Sequence, residues 1–415
     1  MKIGFAKESI TPPPGTELGG YAGYRPCSGV HDPLWCKAVV LEQDNTRYAL
    51  LALDLLCVDE SLAEAIDIAL KPMGIRHTLA AAIHSHATPC GIVLGEGPLA
   101  EVNRVADHDP VGFSCYTQTV IGQAVSACTK AIQQMESFQV RTSQSPAPMI
   151  GSERHTGEHL PLTMTVVEIM TESGRTLLLY QIPCHPTVLG PDNLLASADF
   201  VGGIEKHLTA DMSVFINGAA GDISTRFTRH SQTFEECERM AEITGCSVMN
   251  AIQDAPYKPA ASIKGLHTCI SLKPRPIETE ANAKKALNEA VTNWQAAVNA
   301  NLDAKKIRTL RSYVEGAGVA LEFVHTMAGI QELQLPVTVF SFAGLQFVTV
   351  PGEIFSSLWH VNAVPICYTN GYYRYITDTN AYDVGYYEAM AAILDRGQGE
   401  VFMERIGALL QEITG

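Results

Sequence analysis

The chain has 415 residues, is 46% hydrophobic and carries a formal charge of −15 at pH 7. That balance, with no Lys/Arg cluster to offset it, argues against nucleic acid and anionic membrane surfaces as partners. The length suits one elaborated domain or two intimate lobes, and no apolar run is long enough to span a bilayer.

The eleven cysteines are odd in number and include no C-x-x-C pair, so reduced thiols are expected rather than a disulfide framework. The N-terminus Met1-Lys2-Ile3-Gly4-Phe5 has no apolar signal region, and a cytoplasmic location is expected. Ser9-Ile10-Thr11-Pro12-Pro13-Pro14-Gly15 is turn chemistry, and Gly19-Gly20-Tyr21-Ala22-Gly23-Tyr24 reads as a loop. Strands are predicted over 38–42 and 48–53, the second closing on Asp54. Asp59 caps a helix to about residue 70, stopped by Pro72. Run 79–83 reads as a buried strand, and the Gly/Pro-rich stretch 89–98 as a loop. An amphipathic helix over 115–134 follows. Runs 163–169 and 176–182 form a hairpin about Glu172-Ser173-Gly174.

Thr233-Phe234-Glu235-Glu236 is a capping box that opens a helix to about residue 252. Residues 278–315, rich in Ala and Lys, read as two antiparallel helices broken near Asn301, a solvated helical insertion with few candidate ligands. Strands over 337–342 and 345–350 turn at Ala343-Gly344, and a helix over about 400–413 ends the chain. Alternation of strands and helices in the first half predicts an α/β fold of layered mixed β-sheets flanked by helices.

Several apolar strands end in a chemically able residue. Run 79–83 leads into His84-Ser85-His86, two imidazoles on one side of extended backbone. Run 177–184 ends at His185-Pro186-Thr187, and 214–217 runs into Gly218-Ala219-Ala220-Gly221-Asp222-Ile223-Ser224. Run 347–350 ends at Pro351-Gly352-Glu353, and 366–368 precedes the stretch holding Tyr375. Singly, each has an ordinary explanation: a satisfied buried histidine, a turn carboxylate, a packed tyrosine. Jointly, ligands of layered α/β folds sit beyond the carboxyl ends of strands, and two histidines, a glutamate and a tyrosine gathered there suit a first-row metal such as Zn²⁺.

At these residues the sequence resembles the neutral (non-lysosomal) ceramidase family, in its catalytic domain. Gly4-Phe5-Ala6, Ile10-Thr11-Pro12-Pro13 and Gly20-Tyr21-Ala22 resemble the family's opening; Gly29-Val30-His31-Asp32-Pro33-Leu34 its Gly-Ile-His block; His84-Ser85-His86 its Thr-His-Thr-His-Ser motif. His185-Pro186-Thr187, the block ending at Ser224, Pro351-Gly352-Glu353 and residues 370–388 follow in the same order, so the likeness covers nearly the whole chain.

The resemblance implies a single catalytic domain over 1–415, without the family's immunoglobulin-like domain, and zinc held by His84, His185, Glu353 and Tyr375. It puts His86, Tyr387 and Arg154 on the substrate side and Ser224 beside the scissile carbonyl. Zn²⁺ lowers the pKa of bound water to about 7, which implies hydrolysis of the amide of a small-molecule or lipid N-acyl substrate. His86, Tyr387 or Arg154 would stabilise the oxyanion, or His86 would relay the proton to the leaving amine. Ser224 is either an acyl-forming nucleophile or a positioning residue, and with no histidine beside it in sequence the second role is preferred. Asp54 and His31 are candidates for accepting the ligands' imidazole N–H.

The departures from the family pattern are Ile83 and Ala87 around His-x-His, Thr225-Arg226 where Pro-Asn is frequent, and a short span from His185 to Ser224. They leave the expected substrate open between a ceramide-like and a smaller N-acyl compound. The competing readings are a metal-dependent esterase or phosphoesterase, and a metal-bearing binding protein without turnover.

Overall fold

The structure, a computed structural model, describes residues 1–92 and 110–414. Part of the expected loop over 89–98 thus lies outside the described residues. Two four-stranded sheets and one five-stranded sheet form the frame. The first holds β1 (Lys2–Ser9), β2 (Trp35–Gln43), β3 (Thr46–Leu53) and β4 (Ile75–Ala82) in that spatial order. The second orders β8 (Met212–Asn217), β7 (Thr176–Ile182), β6 (Thr163–Thr171) and β5 (Phe138–Pro146), with Lys258–Pro259 added at its edge. The third runs β9 (Lys264–Leu272), β10 (Leu333–Phe342), β11 (Leu345–Val350) and β12 (Val364–Cys367). The expected layered mixed α/β architecture is what the chain forms.

Residues from all three sheets meet in one apolar cluster, including Ile3 and Phe5, Val167 and Ile169, Leu177 and Leu179, Phe347 and Ile366. Outer faces are covered by helices α1 (Glu60–Leu70), α2 (Pro110–Gln133), α3 (Phe234–Ile252) and, after the insertion, α6 (Gln398–Thr414). Strand β7, covered on both faces, is buried from Leu177 to Ile182 and reads as a continuous apolar run, as doubly covered strands do. The Asp59 carboxylate caps α1 at Leu62 N, and Thr233 caps α3 at Glu236 N, as expected.

Strands β1, β5 and β9 lie where no strand is predicted. In β5 and β9 apolar residues are sparse because only one face is buried deeply: in β5, Phe138 and Val140 point inward between polar neighbours. The outer face of β1 lies hard against α2. A Cβ on Gly4 would stand 1.9 Å from the Ala131 carbonyl oxygen. Gly4→Ala must therefore push the helix off the strand and is expected to cost about 3 kcal/mol; chemical denaturation showing wild-type stability would refute that contact.

The insertion consists of α4 (Glu280–Asn299) and α5 (Ala304–Thr326), turning through Asn301 at φ 50°. Helix α5 continues well past residue 315 because Gly316 does not end it: a Cβ there would meet Tyr387 at 3.0 Å and Met390 at 3.1 Å, so glycine allows close helix packing. The insertion is not merely a solvated appendage, since it also lines the central cleft.

Each sheet ends in one parallel pair at its edge: β3 with β4, β7 with β8, β11 with β12. These edges are stitched together. Ala82 N donates to Tyr368 O at 3.1 Å, Asn370 N to Ala80 O at 3.0 Å, and the Asn217 amide to Ile83 O at 3.2 Å. The carboxyl ends of all three parallel pairs therefore open on one place.

Candidate metal centre and its cleft

His84 follows β4 at φ 70°, and Tyr368, Asn370 and Arg374 also hold positive φ beside it. Non-glycine residues adopt this region only where surrounding contacts impose it, and such strain gathers at functional sites. The His84 ring stacks on Tyr368 with centroids 4.0 Å apart, and its Nδ1 meets Leu56 O at 2.7 Å. His185 follows β7, and its Nδ1 meets Ile223 O at 3.0 Å. A carbonyl only accepts, so both Nδ1 atoms carry the proton, and in the neutral rings both Nε2 atoms present lone pairs. Both lone pairs face the same oxygen: Glu353 Oε2 lies 3.4 Å from His84 Nε2 and 2.9 Å from His185 Nε2. The three side chains are 2%, 1% and 2% exposed.

Two lone pairs aimed at a buried anion repel unless positive charge lies among them. Burial pushes the Glu353 carboxyl up, and positive charge at His84 and His185 outweighs it and holds the pKa well below the usual carboxylate range. Its other oxygen, Oε1, accepts from Tyr372 at 2.6 Å. Two oriented Nε2 atoms and a carboxylate oxygen form a donor set that fits a divalent cation such as Zn²⁺.

His86 completes the group: ligand atoms of His84, His86 and His185 all lie within 4.8 Å of one another. Its ring is less buried, and neither nitrogen has a hydrogen-bond partner. Burial, then the His84 and His185 rings, push its pKa well below the usual histidine value, so it is neutral at pH 7. The loop before β2 covers it. Tyr21 meets the His86 ring edge-on at 4.8 Å, and a Cβ on Gly20, at φ 90°, would stand 2.4 Å from the ring.

Glu353 pairs in register with Tyr375, placing both on one face. The Tyr375 hydroxyl accepts from Arg154 at 3.3 Å. Arg154 also donates to Gly221 O, and its Nε lies 3.2 Å from Glu388 Oε1. Tyr387 meets Tyr375 edge-on at 5.7 Å. Ser224 bridges to His185 through the backbone, and its Oγ accepts from Arg226 N at 3.4 Å. Among the described residues no imidazole is bonded to that hydroxyl. His84, His86, Arg154, Ser224, Glu353, Tyr375 and Tyr387 line a single cleft of about 600 Å³; His185 is buried and is not among the lining residues.

Two expectations are corrected. Asp54 accepts from Trp35 N at 2.8 Å and does not reach the histidines; burial pushes its pKa to about 6. His31 pairs with Asp32 and stacks on Phe234. Backbone carbonyls orient the His84 and His185 imidazoles instead, and a carbonyl leaves no trace in residue identity. Tyr372, Tyr368 and Glu388 were not singled out in the sequence, although all three fall in its tyrosine-rich stretch or beside it.

No family model and no curated protein sequence matches the chain. Among solved structures it is similar to neutral ceramidase from Pseudomonas aeruginosa, with a TM-score of 0.76 at 14% identity over 99% of this chain and 74% of that one. A ceramidase complexed with C2 superposes over the same shares at a TM-score of 0.72 and 14% identity. The chain has the neutral ceramidase fold. The superposition covers both the three-sheet frame and the insertion of α4 and α5.

Proposed function

We propose that the protein is a zinc-dependent amidohydrolase of the neutral ceramidase family that cleaves the linear amide of an N-acyl substrate. The observation that carries this reading is the pair of carbonyl-fixed imidazoles whose lone pairs converge on one oxygen of buried Glu353. His84, His185, Glu353 and Tyr375 would hold the ion. When bound, it supplies Lewis acidity and a water of lowered pKa.

The chain's own groups supply the rest. Neutral His86, with both nitrogens unpartnered, takes a proton from the attacking water and returns it to the departing amine. Arg154 and the Tyr387 hydroxyl face the carbonyl oxygen as it gains charge. Ser224 orients the substrate by hydrogen bonding. The C–N bond breaks, a C–O bond to the water oxygen forms, and a carboxylic acid and an amine leave.

Among the described residues the His/Cys/Asp/Glu groupings offer one such site, which gives a two-metal phosphoesterase no second ion site. The test is metal analysis together with release of acid or amine from an N-acyl panel. His86→Ala is expected to keep its metal and lose about 10²–10⁴-fold in kcat. Zinc bound with no turnover on any N-acyl compound would instead establish a binding protein.

A further inference from the structure

The acidic chain has a cationic cleft. Arg154, Arg226, Arg229, Lys305, Arg308 and Arg374 line it, against the carboxylates Asp192, Glu315 and Glu353. Two of those carboxylates are engaged: Glu353 by the histidines and Tyr372, and Glu315 by Arg308 at 3.0 Å and Arg311 at 3.6 Å. Asp192 is exposed.

Arg226 and Arg229 form no salt bridge with any carboxylate among the described residues. Both are partly buried and anchored by backbone carbonyls beside the site, Arg226 to Arg154 O at 3.0 Å and Arg229 to Thr187 O at 2.5 Å. Each uses one guanidinium nitrogen for that anchor and leaves the rest of its donor fork to the cleft. Burial, then Arg154 and Arg308, lower the Arg226 pKa against the opposing pull of Glu388; burial also lowers that of Arg229, with Arg308 adding to it and Tyr21 and Asp199 opposing. Repulsion of this kind is stored where a ligand of opposite charge relieves it.

The cations come from two independent elements. Arg226 and Arg229 sit two and five residues past Ser224, where the sequence departs from the family at Thr225-Arg226. Lys305 and Arg308 sit at the start of α5, and Lys305 rests over the Phe227 ring at 5.1 Å.

We propose that Arg226 and Arg229 form an oxyanion-binding subsite beside the scissile amide, so that the preferred substrates are N-acyl compounds carrying a carboxylate or phosphate near that amide. The reading of the site as an amidohydrolase is its premise for turnover, but not for binding. Ceramide, uncharged at its headgroup, leaves these guanidinium groups unpaired and is disfavoured.

The test separates the two claims. Binding is read by calorimetry on the metal-loaded protein, using hexanesulfonylglycine, which has no scissile amide, and its methyl ester. The acid is expected to bind about tenfold or more tighter than the ester, with a preference that falls as salt rises. Arg226→Gln/Arg229→Gln is expected to erase that preference while metal content stays at the wild-type level. An ester that binds as well as the acid, no binding by either probe, or a preference that survives in the double variant would overturn the subsite. Turnover is read separately on N-hexanoylglycine, N-hexanoylethanolamine phosphate and neutral N-hexanoylethanolamine, whose relative kcat/KM also tells carboxylate from phosphate. Fastest cleavage of the neutral compound overturns the subsite and leaves the amidohydrolase intact. Acid-selective binding with no cleavage of any of the three supports the subsite and overturns the amidohydrolase.

Discussion

Replacing His185 by alanine is expected to abolish divalent-metal binding by the purified protein while leaving it folded. The Nδ1 contact with Ile223 O holds its Nε2 2.9 Å from Glu353 Oε2, and alanine supplies neither contact. Glu353 then keeps the Tyr372 hydroxyl at 2.6 Å and the His84 ring at 3.4 Å, so the carboxylate is not left wholly uncompensated. The cost to stability is expected to be about 1–3 kcal/mol, the range for a buried group that loses one of its partners. His84→Ala is expected to behave alike, because its Nδ1 is held by Leu56 O in the same way. Elemental analysis beside circular dichroism reads both quantities. Full metal occupancy in both variants would remove these residues from the ligand set and, with them, the proposed chemistry.

The histidines are legible in the sequence because each follows a long apolar run that has to be a covered strand, and a polar residue at its carboxyl end has to emerge at an opening. Glu353 and Ser224 are legible for the same reason. The stitching of the three parallel edges is not, since it is made by backbone groups such as Ala82 N to Tyr368 O. Without it, nothing brings Tyr372 to Glu353 or makes Leu56 O and Ile223 O the partners of the imidazoles. Asp54 illustrates the resulting error: a carboxylate at a strand end looks like a tautomer-fixing partner, yet it is used up by Trp35 N. Lys305 and Arg308 were concealed differently. On an Ala/Lys-rich amphipathic stretch, a charged face reads as solvated until the helix is seen to close one side of a cleft.

Glu388→Gln is expected to be the most destabilising of the cleft substitutions that touch no proposed ligand. Glu388 is 1% exposed and lies between Arg154 Nε, at 3.2 Å from one oxygen, and His155 Nε2, at 2.9 Å from the other. Burial pushes its carboxyl up, but Arg154 and then His155 prevail and keep it ionised. Arg154 cannot follow a lost partner outward, because its guanidinium also holds Gly221 O and Tyr375 and its own carbonyl anchors Arg226. Removing the carboxylate charge therefore strands a buried cation, at a cost of about 3–5 kcal/mol. It also loosens the group facing the carbonyl oxygen, so kcat is expected to fall by up to about 10²–10³-fold. The paired replacement Arg154→Met/Glu388→Leu removes both charges and is expected to regain most of the stability but none of the activity. Denaturant midpoints and kcat/KM for the single and paired variants read the two effects apart. A Glu388→Gln protein as stable as wild type, or a paired variant that still turns over, would show that this ion pair neither braces the cleft nor serves its chemistry.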